Sequence, residues 1–345
     1  MAIVGIDLGT TNSLSAAYID GKSILIPNPY NEFFTPSIVS VNEDGKLLVG
    51  KPAKERLVTG PDFTASLFKR NMGTNKKIML GKKSFLPEEL SSIILRQLLD
   101  DAEKFLREPI TEALISVPAY FNANQRAATK RAGILSGIKV EQLINEPSAA
   151  ALACREDVDK IFIIFDFGGG TLDVSIVETF DNIVNICAIS GNNYLGGADF
   201  DQAIAQEICA ENKIDIASLS TQELQTLLRV SENAKIALSK DKNAYVSVIL
   251  KNKEVSYVLS EERLSEISGG IMERLRNPIR LAMKDSRLQA SDIDKCILVG
   301  GSCRMPIVRN YLEGLLRVPI SDGDDENKLV ALGLGMYVMM SLSII

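Results

Sequence analysis

The strongest constraint on the fold is a pattern that occurs once in each half of the chain. Residues 4–11 (VGIDLGTT) run from an apolar strand into an aspartate and a tight turn, and residues 163–170 (IIFDFGGG) repeat this order. Residues 114–118 (LISVP) and 297–301 (ILVGG) form a second pair, in which each copy reads as a buried strand followed by a turn and a helix. The sequence therefore predicts two lobes of like fold, and it has no period of about 20 to 50 residues that would indicate a solenoid or propeller.

Composition and charge exclude several classes of protein. The chain has 345 residues, of which 46% are hydrophobic and 24% charged, which excludes a disordered or collagen-like chain and fits about two globular domains. Its formal net charge is −6, and a negative surface repels the phosphate backbone, so we expect no nucleic-acid partner. The absence of histidine excludes Ser-His-Asp and Cys-His nucleophile systems and paired-histidine zinc sites. Any chemistry must use carboxylates, lysine, hydroxyls and backbone groups.

The cysteines and the N-terminal sequence favour a cytoplasmic location, and we expect the protein to be a monomer. The five cysteines contain no C-x-x-C pair, which suits free thiols in a reducing compartment. The sequence starts without a basic segment, so no export signal is expected. Residues 329–345 carry no charge, and such a run is at the lower edge of the roughly 17–25 residues that span a bilayer. Its glycines and its lack of flanking anchors favour a buried core helix over a membrane helix, and we expect no membrane partner.

The apolar periodicity places the main elements. It predicts a β-hairpin over residues 3–20, followed along the chain by three helices and three strands. The predicted helices cover residues 87–106, 125–136 and 148–154, and the predicted strands cover residues 113–117, 139–144 and 161–165. We expect a first lobe over 1–157, a second over 158–326, and a C-terminal helix over 327–345 that packs back on the first lobe.

The glycine-rich turns favour phosphate binding of an unusual kind. The sequence has no G-x-x-x-x-G-K-[ST] match, and both turns lead into a strand where a Rossmann fingerprint would lead into a helix. If the two hairpins face each other across a cleft, their consecutive turn amides form a nest for anions. Asp7 and Asp166 would then hold the water shell of one Mg²⁺ between them. The alternative for each hairpin alone is a tight turn in which the aspartate caps its own amides.

Six motifs, in order along nearly the whole chain, resemble the signatures of the ATPase domain of the Hsp70 chaperone family. They are IDLGTTNS (6–13), VPAYF (117–121), NEPSAAA (145–151), DFGGGTLD (166–173), LGGADFD (195–201) and VGGSCRMP (299–306). The resemblance implies an α/β fold of the actin-like, ribonuclease H-like kind, with two similar lobes and a nucleotide cleft between them. It also implies ATP or ADP and Mg²⁺ as cofactors, with K⁺ as a further candidate.

The resemblance also assigns roles to individual residues. Lys69 matches the lysine beside the γ-phosphate and the attacking water, Glu146 and Asp173 match carboxylates that order the water and metal shell, and Thr171 matches a hydroxyl on the γ-phosphate. The phosphate turns are Gly9, Thr10, Thr11, Asn12, Gly168, Gly169, Gly170, Gly196 and Gly197, and the adenosine wall is Gly300, Gly301, Ser302 and Arg304. Read alone, Lys69 is a solvated surface lysine and Glu146 a loop residue.

A helix of the second lobe resembles the family's nucleoside clamp. Glu232, Lys235 and Ser239 recur at i, i+3 and i+7, on one helix face. Arg304 is expected to stack on one face of the adenine and Ile236 to contact the other. As an isolated pattern, E-x-x-K is a surface ion pair.

Departures from the family pattern bear on the expected partners. The sequence stops where the family continues into a peptide-binding domain, so substrate capture is not expected here. Gln142 replaces an arginine used for J-domain contact, Asn327 replaces an aspartate, and the stretch 239–261 is short. These features suggest a divergent, HscC-like member, with a J-domain co-chaperone and an exchange factor as candidate partners.

We therefore expect an ATP-hydrolysing switch domain whose nucleotide state controls a peptide-binding domain outside this sequence. A sugar or small-molecule kinase on the same fold is the first alternative, and it would need a second cleft aspartate as base for an acceptor hydroxyl. An actin-like filament ATPase is the second alternative.

Overall fold

Two mixed β-sheets form the centres of the two lobes in the computed structural model, which describes residues 2–154, 159–180, 183–321 and 327–342. The first sheet contains β1 (Ala2–Asp7), β2 (Asn12–Ile19), β3 (Lys22–Ile26), β10 (Ile110–Val117) and β11 (Lys139–Asn145), in the order β11-β10-β1-β2-β3, with β4 (Thr35–Pro36) paired to β2. The second sheet contains β12 (Lys160–Phe167), β13 (Leu172–Phe180), β14 (Ile183–Asn192) and β17 (Lys295–Val299), in the order β14-β13-β12-β17.

The strand pairing repeats between the lobes. β1 pairs antiparallel with β2 and parallel with β10. In the same way, β12 pairs antiparallel with β13 and parallel with β17. Both pairs of repeated sequence patterns are thus confirmed as equivalent strands. Because each hairpin lies beside a parallel strand, the aspartate at the end of β1 and the one near the end of β12 lie at equivalent places.

Ten helices are described, and most cover the faces of these sheets. They are α1 (Lys51–Thr59), α2 (Pro87–Leu106), α3 (Ala123–Leu135), α4 (Glu146–Ala153), α5 (Gly197–Glu211), α6 (Thr221–Ala237), α7 (Glu261–Ile267), α8 (Gly269–Ser286), α9 (Pro306–Leu316) and α10 (Leu329–Leu342). Small sheets join β5 (Val39–Val41), β6 (Leu47–Val49) and β7 (Thr64–Ala65); β8 (Ile78–Leu80) and β9 (Lys83–Phe85); and β15 (Asn243–Leu250) and β16 (Lys253–Ser260).

Helix α2 has the predicted bounds, and three other helices differ at their ends. Helix α3 begins at Ala123, because the Asn122 side chain accepts a hydrogen bond from the Gln125 amide and caps it. Helix α4 begins at Glu146 rather than at residue 148, since Pro147 suits the first turn of a helix. The loop interpretation of Glu146 is therefore wrong. Helix α6 ends at Ala237, so Ser239 lies beyond the helix on which it was expected.

Helices α4 and α10 lie in an apolar layer shared by the two sheets. This layer includes Leu114 of the first sheet, Ile164 of the second, Ala150 of α4 and Leu334 of α10. Glycines allow the close approach, because a Cβ on Gly333 would lie 1.9 Å from the Ala149 carbonyl oxygen. The shared layer holds the two sheets in one arrangement, and so it sets where their hairpin turns meet.

Helix α10 forms most of the uncharged C-terminal run, for which the sequence left a core helix and a membrane helix as the two interpretations. Val330, Ala331, Leu334 and Val338 are buried in the protein, as a core helix requires. Within the described ranges, no helix has the length and apolarity needed to cross a bilayer. Residues 343–345 of this run and the expected lobe boundary at 157/158 lie outside the described residues, so the division into 1–157, 158–326 and 327–345 stays a prediction.

Candidate functional site

The turns of the two equivalent hairpins meet across the cleft between the lobes. A Cβ built on Gly170 would lie 2.4 Å from Thr10 Cγ2, and one on Gly169 would lie 2.1 Å from Thr11 Oγ1. Only glycine permits this approach. Beside the turns is a cavity of about 130 Å³, and both Asp7 and Asp166 line it. The two aspartates therefore open onto one space, as the facing-hairpin hypothesis requires.

Five charged side chains cluster at this cavity: Lys69, Glu146 and Asp173 are buried, and Asp7 and Asp166 are half-buried. Lys69 Nζ lies 3.0 Å from Glu146 Oε1, and the two residues are 4% and 6% exposed. Burial, with Glu146 as the second cause, raises the pKa of Asp7 to about 6 and the pKa of Asp173 to about 7. The same two causes raise the pKa of Asp166 well above its usual value. A bound cation would lower these pKa values, because its positive charge stabilises the carboxylates and offsets their repulsion by Glu146.

Three buried polar atoms at the cleft have no hydrogen-bond partner among the described residues. They are Thr11 Oγ1, Asp173 Oδ1 and Asn327 Oδ1. Thr11 and Asn327 line the 130 Å³ cavity. Because a buried polar atom without a partner costs free energy, these atoms indicate that the cleft is built to receive a polar ligand.

The glycine pair before α5 is tied to the second-lobe turn. Gly197 N donates to Gly168 O at 3.0 Å, and Ala198 N donates to Gly169 O at 2.9 Å. Ser302 Oγ donates to Gly168 O at 2.8 Å from the other side. These bonds hold the N-terminus of α5 beside the turn, where the positive end of the helix dipole favours an anion.

Arg70 connects the two lobes and is a residue that the sequence interpretation missed. Its Nε donates to Gly170 O at 2.7 Å, and its Nη2 donates to Asp199 Oδ2 at 3.0 Å. Asp199 Oδ2 also accepts from Gly196 N at 2.9 Å. The guanidinium of one lobe thus holds both glycine turns of the other. The sequence feature that could have identified Arg70 is its position directly after Lys69.

Ser116 is a second missed residue. Its Oγ donates to Asp7 Oδ1 at 2.7 Å and accepts from Leu8 N at 3.3 Å. It is fully buried on β10, one residue after Ile115, which pairs with Ile6. The repeated LISVP pattern predicts this strand, and the parallel register of β10 beside β1 brings Ser116 to Asp7.

The structure brings together most of the residues predicted to contact phosphate and metal. The 130 Å³ cavity is lined by Asp7, Gly9, Thr10, Thr11, Asn12, Lys69, Glu146, Asp166, Gly168, Gly169, Thr171, Gly300 and Gly301. Gly170 contacts Thr10, and Gly196 lies against Gly170.

The predicted nucleoside residues are more dispersed. Glu232 and Lys235 line a larger cavity of about 550 Å³ between α1, α5 and α6. Ile236, Ser239, Ser302 and Arg304 line neither of these two cavities, and Ile236 is 55% exposed. The predicted clamp residues and the predicted phosphate residues therefore lie in different parts of the protein surface around the cleft.

Comparisons with known proteins agree with this geometry. A family model described as "Hsp70 protein" matches residues 3–80 and 75–340. The chain is similar to the chaperone protein DnaK of Methanothermobacter thermautotrophicus, with 41% identity over 349 aligned positions that cover 96% of this chain. The alignment covers 58% of that relative, so the chain spans less than two thirds of its length.

Proposed function

Because this chain belongs to the Hsp70 family, whose members are ATPases with an actin-like fold, we propose that it binds ATP in the cleft between its lobes and hydrolyses it slowly. One observation carries the proposal: two glycine turns from opposite lobes meet at a cavity that also holds a buried lysine and several carboxylates. Neither a sugar kinase nor a filament ATPase is favoured by the family match.

The turn amides and the α5 N-terminus bind the phosphates in this proposal. The Thr10–Thr11 and Gly169–Gly170 pairs supply consecutive backbone N–H groups, since Gly9 N and Gly168 N donate within their own turns to Ser13 Oγ and Thr171 O. The Thr11 and Thr171 hydroxyls supply further donors. Gly196 and Gly197 extend the same surface. Their lack of side chains lets the phosphate oxygens approach the backbone closely.

The acidic residues fit Mg²⁺. In the described part of the chain, no cluster of three or more acidic or cysteine side chains could ligate a metal directly, and Mg²⁺ needs only one or two carboxylates because it retains several waters. Asp7 and Asp166 would hold the ion, and Ser116 orients Asp7. When bound, Mg²⁺ neutralises charge on the phosphates. K⁺ stays a prediction of the family resemblance.

Lys69, Glu146 and Asp173 act on the γ-phosphate and the attacking water. The Lys69 ammonium stabilises negative charge that develops at phosphorus, and its ion pair with Glu146 fixes its position. Asp173, whose pKa burial raises to about 7, is suited to take a proton from water near neutral pH. Since the site excludes most solvent, both effects are stronger than in bulk water.

The remaining roles follow from the family. Glu232, Lys235, Ile236, Ser239, Ser302 and Arg304 hold the nucleoside, with the lobes closing around it. The nucleotide state controls a peptide-binding domain outside this sequence, and a J-domain co-chaperone and an exchange factor act on the cycle in the cytoplasm. Mass spectrometry of proteins that co-purify with this protein tests the co-chaperone and exchange-factor roles.

Substitution of Lys69 tests the proposal. We expect Lys69→Ala to retain ATP binding, measured by equilibrium dialysis, and to lose about 10²–10³ in the rate of phosphate release. Lys82→Ala is the matched control, since Lys82 is exposed. Circular dichroism verifies folding, because Glu146 loses its buried partner. Hydrolysis that continues at the wild-type rate in the Lys69 variant contradicts the proposal.

A further inference from the structure

The larger cavity, which we call the interlobe chamber, is a second compartment of the cleft. It has a volume of about 550 Å³ and is lined by residues of both lobes. Leu57 on α1 forms one side, and Leu224 and Leu228 on α6 form the opposite side. The chamber shares only Thr10, Thr11 and Gly169 with the smaller cavity. The hairpin turns thus form its floor and separate it from the cluster around Lys69.

The chamber is also separate from the expected adenosine wall. Lys235 Nζ donates to Gly197 O at 2.9 Å and lies 2.7 Å from Asp201 Oδ1. Gly197 lies between this lysine and Ser302, because a Cβ on it would meet Ser302 Oγ at 2.6 Å and Lys235 Nζ at 3.0 Å. Ser302 and Arg304 are absent from the chamber lining. Of the expected nucleoside residues, Glu232 and Lys235 line the chamber, while Ile236 and Ser239 do not, so the α6 face that carries Glu232 and Lys235 marks the border between the two compartments.

The chamber lining has one more cationic side chain than it has carboxylates. Arg70 pairs with Asp199 at 3.0 Å, Lys235 with Asp201 at 2.7 Å and Lys54 with Glu232 at 3.5 Å. The fourth cation of the lining, Arg229, has no carboxylate partner among the described residues and is exposed. Four cations against three carboxylates give the lining a net charge of +1, on a protein with a net charge of −6.

The uncharged part of the lining combines aliphatic side chains from both lobes with hydroxyls and the amides of Gln202, Gln206 and Gln225. Ile38, Leu57 and Leu67 come from the first lobe, and Ile216, Leu224 and Leu228 come from the second. A cavity of this volume is in the range of about 300–1,000 Å³ that takes small organic ligands. The aliphatic side chains favour an apolar body, and the unpaired guanidinium favours one negative charge on it.

We propose that the interlobe chamber binds an amphipathic organic monoanion, with an aromatic or alicyclic body and a single carboxylate or sulfonate, at the same time as the nucleotide. The body contacts the leucines of α1 and α6, and the anionic group pairs with Arg229. Because the ligand touches both lobes, it stabilises the arrangement in which they close on the nucleotide. This coupling, unlike the binding itself, rests on the proposed function.

Fluorescence of 8-anilinonaphthalene-1-sulfonate, an apolar monoanion, tests the site. We expect one saturable site per chain that persists at saturating ADP. Leu228→Gln and Arg229→Gln each weaken the dye at least tenfold. Arg276→Gln, on the exposed side of α8, is the matched control and leaves the dye affinity unchanged. Near-wild-type circular dichroism of each variant excludes dye binding to an unfolded state.

Two measurements can contradict the proposal: competition between the dye and ADP, and the effect of each on the affinity of the other. Stoichiometric displacement of the dye by ADP, or equal dye affinity in the Arg229 and Arg276 variants, overturns the proposal. We expect ADP to tighten dye binding about fivefold or more, and the dye to tighten ADP by the same factor, since coupling is reciprocal. Equal dye affinity with and without ADP refutes the coupling. ADP binding measured without dye tests the proposed function separately, so the two failures are distinguishable.

Discussion

At the scale of single residues, Gly196 shows how the lack of a side chain sets the geometry of the cleft. A Cβ at this position would lie 2.4 Å from Gly170 N and 2.5 Å from Gly169 C. Both neighbours are backbone atoms of the second-lobe glycine turn, which cannot move aside as a flexible side chain can. Gly314 on α9 is different, because a Cβ added there would meet no atom of another element within 4 Å.

This contrast predicts opposite effects of the same substitution. We expect Gly196→Ala to destabilise the protein by about 1–3 kcal/mol, as overpacking does, and to weaken ADP binding because the turn amides are displaced. Gly314→Ala is expected to stabilise by roughly 0.5–1 kcal/mol, since alanine favours the helix. Urea unfolding and ADP titration measure both effects. Equal ADP affinity in the two variants would show that the turn does not hold the ligand.

At the scale of elements, Glu223 joins the start of α6 to the β15–β16 hairpin. Its carboxylate accepts hydrogen bonds from Ser220 N at 2.9 Å, from Ser220 Oγ at 2.8 Å and from Lys251 N at 2.7 Å. These bonds, with that of the Ser220 amide first, lower the pKa of Glu223 to about 2 from its usual 4.5. The charged form of this side chain therefore holds the two elements together.

The lowered pKa predicts a dependence of stability on pH. A carboxyl whose pKa is lower in the folded state stabilises fully above pH 4.5, and this contribution disappears as the pH falls through about 2. We expect Glu223→Gln to be less stable than the wild type at pH 7 and the gap to narrow as the pH falls below 4.5. Thermal unfolding at pH 7, 5, 4 and 3 measures this.

The exposed Glu211→Gln serves as the control for the pH series, and its difference from the wild type is expected to stay constant. A gap between Glu223→Gln and the wild type that widens on acidification would contradict the assignment of these hydrogen bonds to the charged carboxylate.

At the scale of the whole molecule, the two lobes are joined in two ways: by the shared apolar layer and by polar contacts across the cleft. Helices α4 and α10 join the two sheets on one side. Across the cleft, the direct polar links include Arg70 to Gly170 O and Asp199, and Lys54 to Glu232. A ligand that contacts both turns adds to these bonds.

Nucleotide binding is expected to raise the stability of the whole chain. At an ADP concentration of about 100 times Kd, linkage contributes about 2.7 kcal/mol, which raises the unfolding temperature by several degrees. Differential scanning fluorimetry with Mg²⁺ measures the shift. Gly196→Ala is expected to lose most of it. A wild-type protein that gains no stability from ADP would contradict nucleotide binding in the closed cleft.

The amino-acid sequence alone was enough to predict the two equivalent hairpins, the bounds of α2 and the second pair of equivalent strands, β10 and β17. Each of these depends on local properties: the alternation of apolar residues, the glycines in a turn, or a proline at a helix start. Glu146 shows the limit of local reading, because the helix it begins is also stabilised by packing between the two sheets.

Only the tertiary structure decided which side chains meet. Lys69 and Glu146 are 77 residues apart, and Arg70 and Asp199 are 129 apart. Local pattern carries no information on such distances, which depend on strand register and on the apolar layer between the sheets. The interlobe chamber has the same origin, since its walls come from helices of different lobes. The sequence determined the two turns, and the packing of the lobes determined the cleft between them.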